Sequence, residues 1–283
     1  MWCALVALGA FAHDGKVAPT GASGPTEGLP TEVAVADPEG WTWESVAGGR
    51  RAVVSMDAAP FPCVTAEAPR PYDDASVWVF VPTGHDAARP VNLLVHLHGF
   101  ESLLAQTVPA FRLEEQVAGS GRDVVLVVPQ GPVMARDGDF GKLMQPGGLG
   151  ALVSEVMDGL GGTLGTLSLS AHSGGYRGVA RSLEHGGVDV HQVLLFDALY
   201  GERGTFRRYA EGGGRLWSVH TEKGGTRGQN HRLLDELLTA GLTVHTDAAA
   251  PVGAVVIGPT ELGHSPALSA GTLEAWLRAL PVP

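Results

Sequence analysis

Short, almost wholly apolar runs alternate along this chain with longer stretches whose apolar residues recur at three- and four-residue spacing. VNLLVHLHG (91–99), DVVLVVP (123–129), TLSLSAHS (166–173), QVLLFDA (192–198), RLWSVHT (215–221) and AVVIGP (254–259) read as strands, most of them buried on both faces. Ahead of most of them, AVVSMD (52–57) and SVWVFVP (76–82) read as an opening antiparallel pair. The helical period predicts helices over 103–118 and over 148–160, the latter from Leu149, Leu152, Val153, Val156, Met157 and Leu160. It predicts another after residue 173 from Tyr176, Val179, Ala180 and Leu183, and a short one over 203–211. Leu233, Leu234, Leu237 and Leu238 mark a further helix, and Leu273, Trp276, Leu277 and Leu280 the closing one. LTVHTDA (242–248) fits neither period. Strands and helices alternating in this way predict an α/β fold, with a mostly parallel central sheet covered by helices on both faces.

Composition narrows the picture at the two ends of that pattern. The first dozen residues, MWCALVALGAFA, are apolar and end in small residues, as the h-region and cleavage site of a secretory signal do. No Lys or Arg precedes them, so 1–12 reads as a truncated signal segment, with export as the expectation. The run is too short to span a bilayer, and no integral membrane span is expected. Residues 13–40 are rich in Gly, Pro, Thr and Ala and hold too little apolar surface to offset their ordering entropy, which makes them a tether. From 41 to 283 the chain reads as a single domain, and 44% hydrophobic residues over a 283-residue chain suffice for one core. The formal charge of −11 repels phosphate backbones and excludes nucleic acid as the expected partner. Cys3 and Cys63 fall in no metal, redox or disulfide framework.

The chemistry concentrates where these strands end. Ala171-His172-Ser173-Gly174-Gly175 sits between a buried strand and a periodic helix, where a sharp turn lifts a serine hydroxyl off the sheet. Small residues are needed two before and two after that serine, and Ala171 and Gly175 supply them. Ser173 is therefore the candidate nucleophile. Serine needs a base, and His264 follows the last strand, just before the final helix. Asp197 closes the apolar run VLLFD and is favoured as the acid that orients His264; Glu222, after the next strand, is the alternative. Either acid keeps the order serine, acid, histidine. The oxyanion hole is expected from the backbone N–H groups of Gly174 and Phe100. His96 and His98 alternate on a strand without a third ligand at suitable spacing, so no metal site is expected. The Gly-rich loop 129–150 is expected to wall the cleft, with Phe140, Leu143 and Met144 as apolar substrate contacts and Lys142 as a polar one.

The stretch from Ser76 to Ala279 resembles the α/β-hydrolase superfamily. Within it, HLHGF, VVPQG and AHSGGY are similar to secreted esterases and depolymerases related to feruloyl esterases and polyhydroxybutyrate depolymerases. The resemblance implies hydrolysis of a small-molecule or polymeric acyl ester through an acyl-enzyme, without a cofactor. A peptidase or amidase would use the same three residues, and a non-catalytic binding protein on this scaffold is the remaining alternative. Two features depart from the pattern. Alanine stands at the first small position of the elbow, and the acid commonly found after the 215–221 strand is missing.

Overall fold

The computed structural model describes residues 40–59, 74–131 and 138–281. The segment expected as signal, the expected tether up to residue 39, both cysteines and part of the 129–150 loop lie outside the described residues. In chain order the strands are β1 (Glu44–Val46), β2 (Gly49–Ser55), β3 (Ser76–Pro82), β4 (Val91–Leu97), β5 (Val125–Pro129), β6 (Leu164–His172), β7 (Gln192–Phe196), β8 (Arg215–Thr221) and β9 (Val255–Thr260). The helices are α1 (Leu104–Ala110), α2 (Leu113–Gly119), α3 (Gly148–Leu160), α4 (Tyr176–His185), α5 (Arg203–Glu211), α6 (Arg227–Thr239), α7 (Pro266–Ser269) and α8 (Thr272–Ala279).

One nine-stranded sheet results, in the order β1-β2-β3-β5-β4-β6-β7-β8-β9. The pairs from β5 through β9 are parallel, while β1, β2 and β3 pair antiparallel and β3 meets β5 antiparallel. The two-residue alternation of side chains divides the core into two layers. Leu93, Val95 and Leu97 of β4 join Leu152 and Val156 of α3, Val179 of α4, Phe206 of α5 and Leu233 of α6. Leu94 of β4 joins Leu113 and Val117 of α2, Leu268 of α7 and Trp276 of α8 on the other face. Each face of the sheet is thus closed by its own helices, as the apolar runs required.

The region expected as one helix over 103–118 is two. Arg112 adopts a left-handed conformation (φ 53°) between α1 and α2, and Pro109 lies in the last turn of α1. Leu104, Val108, Leu113 and Val117 stay buried across the break, which is why the apolar pattern conceals it. The unassigned 242–248 stretch contributes a single bridge, His245 to Val256, beside β9. No helix among the described residues is long and apolar enough to cross a membrane.

This topology dictates where a site can form. From β4 the chain moves to β5 on one side; from β6 it moves to β7 on the other. The loops leaving β4 and β6 therefore diverge at the carboxyl edge of the sheet and leave a crevice between them.

Candidate active site

Ser173 directly follows β6 at that crevice and has φ 53°, a left-handed conformation that costs a residue with a Cβ and marks a sharply turned backbone. Its neighbours are small by necessity. A Cβ on Gly175 would stand 2.2 Å from the Leu97 carbonyl oxygen, and one on Gly174 would stand 2.0 Å from the Phe100 ring. Ala171 is fully buried and tolerates its single methyl, so alanine at that place in the elbow fits the turn. Gly99, on the opposing loop, lies so close that a Cβ there would be 3.1 Å from Ser173 Cβ.

That opposing loop is braced from beneath. Gly131 N–H donates to His98 Nε2 (2.8 Å), so the proton of this imidazole resides on Nδ1, which donates to the Gly99 carbonyl (2.8 Å). Burial lowers the His98 pKa to about 4 and keeps the ring neutral. The Gln130 side chain accepts from Leu104 N–H (2.9 Å) and donates to the Ser102 (3.0 Å) and Gly131 (2.7 Å) carbonyls. The backbone of residues 99–104 is thereby fixed opposite the elbow, with Phe100 between. His96, the other histidine of the pair, shares a 2.8 Å hydrogen bond between its Nδ1 and the Ser170 hydroxyl. Burial lowers its pKa to about 3, with His172 and His98 adding to the effect.

Asp197 follows β7, also with positive φ (45°), and its side chain is 1% exposed. It lies 2.6 Å from His264 Nδ1 through Oδ2. Three further donors reach it: Thr221 N–H (3.1 Å), the Thr221 hydroxyl (3.2 Å) and the Thr226 hydroxyl. Burial alone would raise the pKa of this carboxyl. The hydrogen bonds from His264, Thr226 and Thr221 outweigh it and bring the value to about 2. The ionised carboxylate only accepts, so His264 Nδ1 is the donor in this contact.

Glu222, the alternative acid, is exposed at the surface, where Arg227 Nε approaches it at 3.8 Å. The end of β8 instead supplies Thr221, and the residue before α6 supplies Thr226, and both hold Asp197. The Gly224-Gly225 run beside it has a reason in the same contact: a Cβ on Gly224 would overlap the Thr221 hydroxyl and stand 3.4 Å from Asp197 Oδ1.

The residues expected to touch substrate each make contacts within the fold. Phe140 is 1% exposed and packs on the His98 ring (5.1 Å between centroids), and Leu143 is fully buried. Met144 accepts the Phe140 N–H at its sulfur (3.1 Å), and Lys142 Nζ donates to the Asp57 carbonyl (2.5 Å). Their loop nonetheless returns to the site, because a Cβ on Gly138 would be 2.4 Å from the Gly174 carbonyl oxygen.

Two neighbours of Ser173 and His264 escaped the sequence reading. Tyr200 meets the His264 ring edge-on (6.3 Å), on the side of the site where Ser173 also stands. Burial, with Asp197 nearby, raises its pKa and keeps the phenol protonated. The ring of His172 lies 4.5 Å from that of His264. Tyrosine and histidine close to a motif carry no sequence signal of their own; only the fold brings them here.

No protein-family model matches the chain, and no curated protein matches it in sequence. Among solved structures, an S-formylglutathione hydrolase from Agrobacterium tumefaciens superposes with a TM-score of 0.52 at 14% identity, over 84% of this chain and 97% of that one. A ferulic acid esterase superposes with a TM-score of 0.51 at 10% identity, over 71% and 92%. At such identities the likeness speaks for the fold, and together with the sheet order it gives this chain the α/β-hydrolase fold.

Proposed function

We propose that this chain is a serine hydrolase that cleaves carboxylic esters of small-molecule or polymeric acyl substrates through an acyl-enzyme. Ser173 is the nucleophile, His264 the general base and Asp197 the acid that orients it. The observation that carries the reading is the 2.6 Å contact between His264 Nδ1 and a buried, ionised Asp197, set beside a serine held at positive φ on a strand-to-helix turn. Closure of His264 Nε2 onto the Ser173 hydroxyl is the step the proposal supplies.

In the first half-reaction the Ser173 oxygen bonds to the ester carbonyl carbon while its proton passes to His264 Nε2. The carbonyl oxygen gains the displaced electron pair and is held by the N–H groups of Gly174 and Phe100. Collapse expels the alcohol, which takes the proton from His264. Water, deprotonated by His264, then attacks the acyl-enzyme; the acyl–oxygen bond to Ser173 breaks, His264 returns the proton to the Ser173 oxygen, and the acid is released. Every group used belongs to the chain, and the scheme calls on no cofactor.

The solved structures that share the fold include proteins titled as an S-formylglutathione hydrolase and a ferulic acid esterase, which favours esters over amides here. Export is part of the proposal and rests on the apolar run at residues 1–12. The test of the activity compares p-nitrophenyl esters with aminoacyl anilides, using the wild-type chain and Ser173→Ala. Ester turnover that disappears in the variant is expected; anilide turnover exceeding ester turnover would assign the same residues to a peptidase.

A further inference from the structure

We propose that His172 is a positioning residue that ties the main chain of His264 to the nucleophile elbow, so that base and nucleophile share one anchor. The inference rests on the reading of Ser173 and His264 as nucleophile and base.

His172 is the last residue of β6 and adjoins Ser173 in sequence. Alternation along the strand turns its side chain to the same face as Ser170, away from the layer that holds Ala171. There the imidazole is 5% exposed, between the Phe111 ring (4.8 Å) and the His264 ring (4.5 Å). His172 Nε2 lies 3.1 Å from the His264 carbonyl oxygen. A carbonyl only accepts, so His172 holds its proton on Nε2 and donates it there. Burial and the neighbouring His264 lower the His172 pKa to about 4. At neutral pH the ring thus remains an uncharged donor and places no cation against the imidazolium that His264 becomes in each cycle.

The placement of His264 gives this bond its weight. Residues 261–265 are all exposed, so packing does little to hold the loop that carries the base. Two anchors reach His264 from opposite ends: Asp197 takes the ring at Nδ1, and His172 takes the main-chain carbonyl. With both ends fixed, the side-chain torsions of His264 are confined and Nε2 keeps one direction. One dipeptide, His172-Ser173, therefore presents the nucleophile and holds the backbone of its base. A ring that merely filled space would need its volume and not its N–H.

Three variants separate these roles. His172→Gln keeps an N–H donor at about the reach of Nε2, His172→Asn brings its donor up short, and His172→Leu has none. Hydrolysis of p-nitrophenyl acetate is measured beside thermal denaturation and the low-field proton resonance of His264 Nδ1–H. The Gln variant is expected to retain kcat within about threefold. The Asn and Leu variants are expected to lose about 10- to 100-fold in kcat with KM nearly unchanged, because misplacement of a reacting group lowers kcat. Their Nδ1–H resonance should broaden as the base loosens. Wild-type kcat in Asn or Leu overturns the proposal, and so does a loss in Gln as deep as in Leu. Should the Leu variant not fold, the comparison of Gln with Asn decides alone. Ser173→Ala is assayed in parallel: turnover that survives it defeats the hydrolase reading itself, whatever the His172 series shows.

Discussion

His264 Nδ1 and Asp197 Oδ2 lie 2.6 Å apart across 67 residues of chain, the carboxylate buried and the imidazole 41% exposed on its side chain. The relationship joins the loop after β9 to the turn after β7, two strands that are not neighbours. Between them β8 contributes no acid and instead contributes Thr221, which hydrogen-bonds the same carboxylate.

The acid assignment separates two variants. Asp197→Asn should lower kcat by on the order of 10³- to 10⁴-fold, since an amide no longer fixes the Nδ1–H tautomer or stabilises imidazolium. Glu222→Gln should stay within about twofold. Steady-state kinetics on one ester decides between them.

Asp197 also links stability to pH. Its pKa in the folded protein, about 2, lies below the ordinary value of 3.8. The stabilisation is therefore present above pH 4 and is lost as pH falls towards 2, by about 2 kcal/mol. Urea unfolding across that window should show the loss in the wild-type chain and a flatter profile in Asp197→Asn.

The two glycines of the elbow should fail differently. A methyl on Gly175 meets the backbone oxygens of Leu97 and His98, which cannot withdraw, so Gly175→Ala should cost on the order of 3 kcal/mol in denaturant unfolding. A methyl on Gly174 meets the Phe100 ring, which is 44% exposed and free to turn outward. Gly174→Ala should fold and lose about 10- to 100-fold in kcat, because the methyl and the displaced Phe100 ring crowd the two residues proposed as oxyanion donors.

The buried amide under that loop is a further test. Gln130→Leu leaves the Leu104 N–H and two carbonyls unpaired, each costing about 1–3 kcal/mol where water does not replace the partner. The variant should melt earlier in calorimetry and lose turnover in step.

Tyr200→Phe removes only a hydroxyl near Ser173. A hydrogen bond from that hydroxyl within the proposed site is worth about 0.5–1.5 kcal/mol, so its loss should lower kcat/KM by roughly two- to tenfold with the fold unchanged by circular dichroism.

What the sequence disclosed follows from what is local. The bounds of α3 match the periodic stretch 148–160 because Gly147 and Gly161, both at positive φ, delimit it. The elbow was readable because its steric demands fall within five consecutive residues. The break at Arg112 was hidden because the buried face continues across it. Choosing between Asp197 and Glu222 required knowing which strand end faces His264, a property of the sheet as a whole. His172 and His264 meet across 92 residues, and Phe140 packs on His98, which lies just after β4. The sequence lists such residues but does not show their contacts. Phe140 and Leu143 illustrate the point: apolar residues in a loop serve a cleft or a core, and these two are buried by their neighbours.

Covalent labelling directly addresses whether one serine is activated by one histidine. The chain is treated with a fluorophosphonate, digested and mapped by mass spectrometry, alongside His264→Ala. A single adduct on Ser173, formed at least about 100-fold more slowly in the His264 variant, is the predicted result. An adduct elsewhere, or equal rates in the two proteins, contradicts the account.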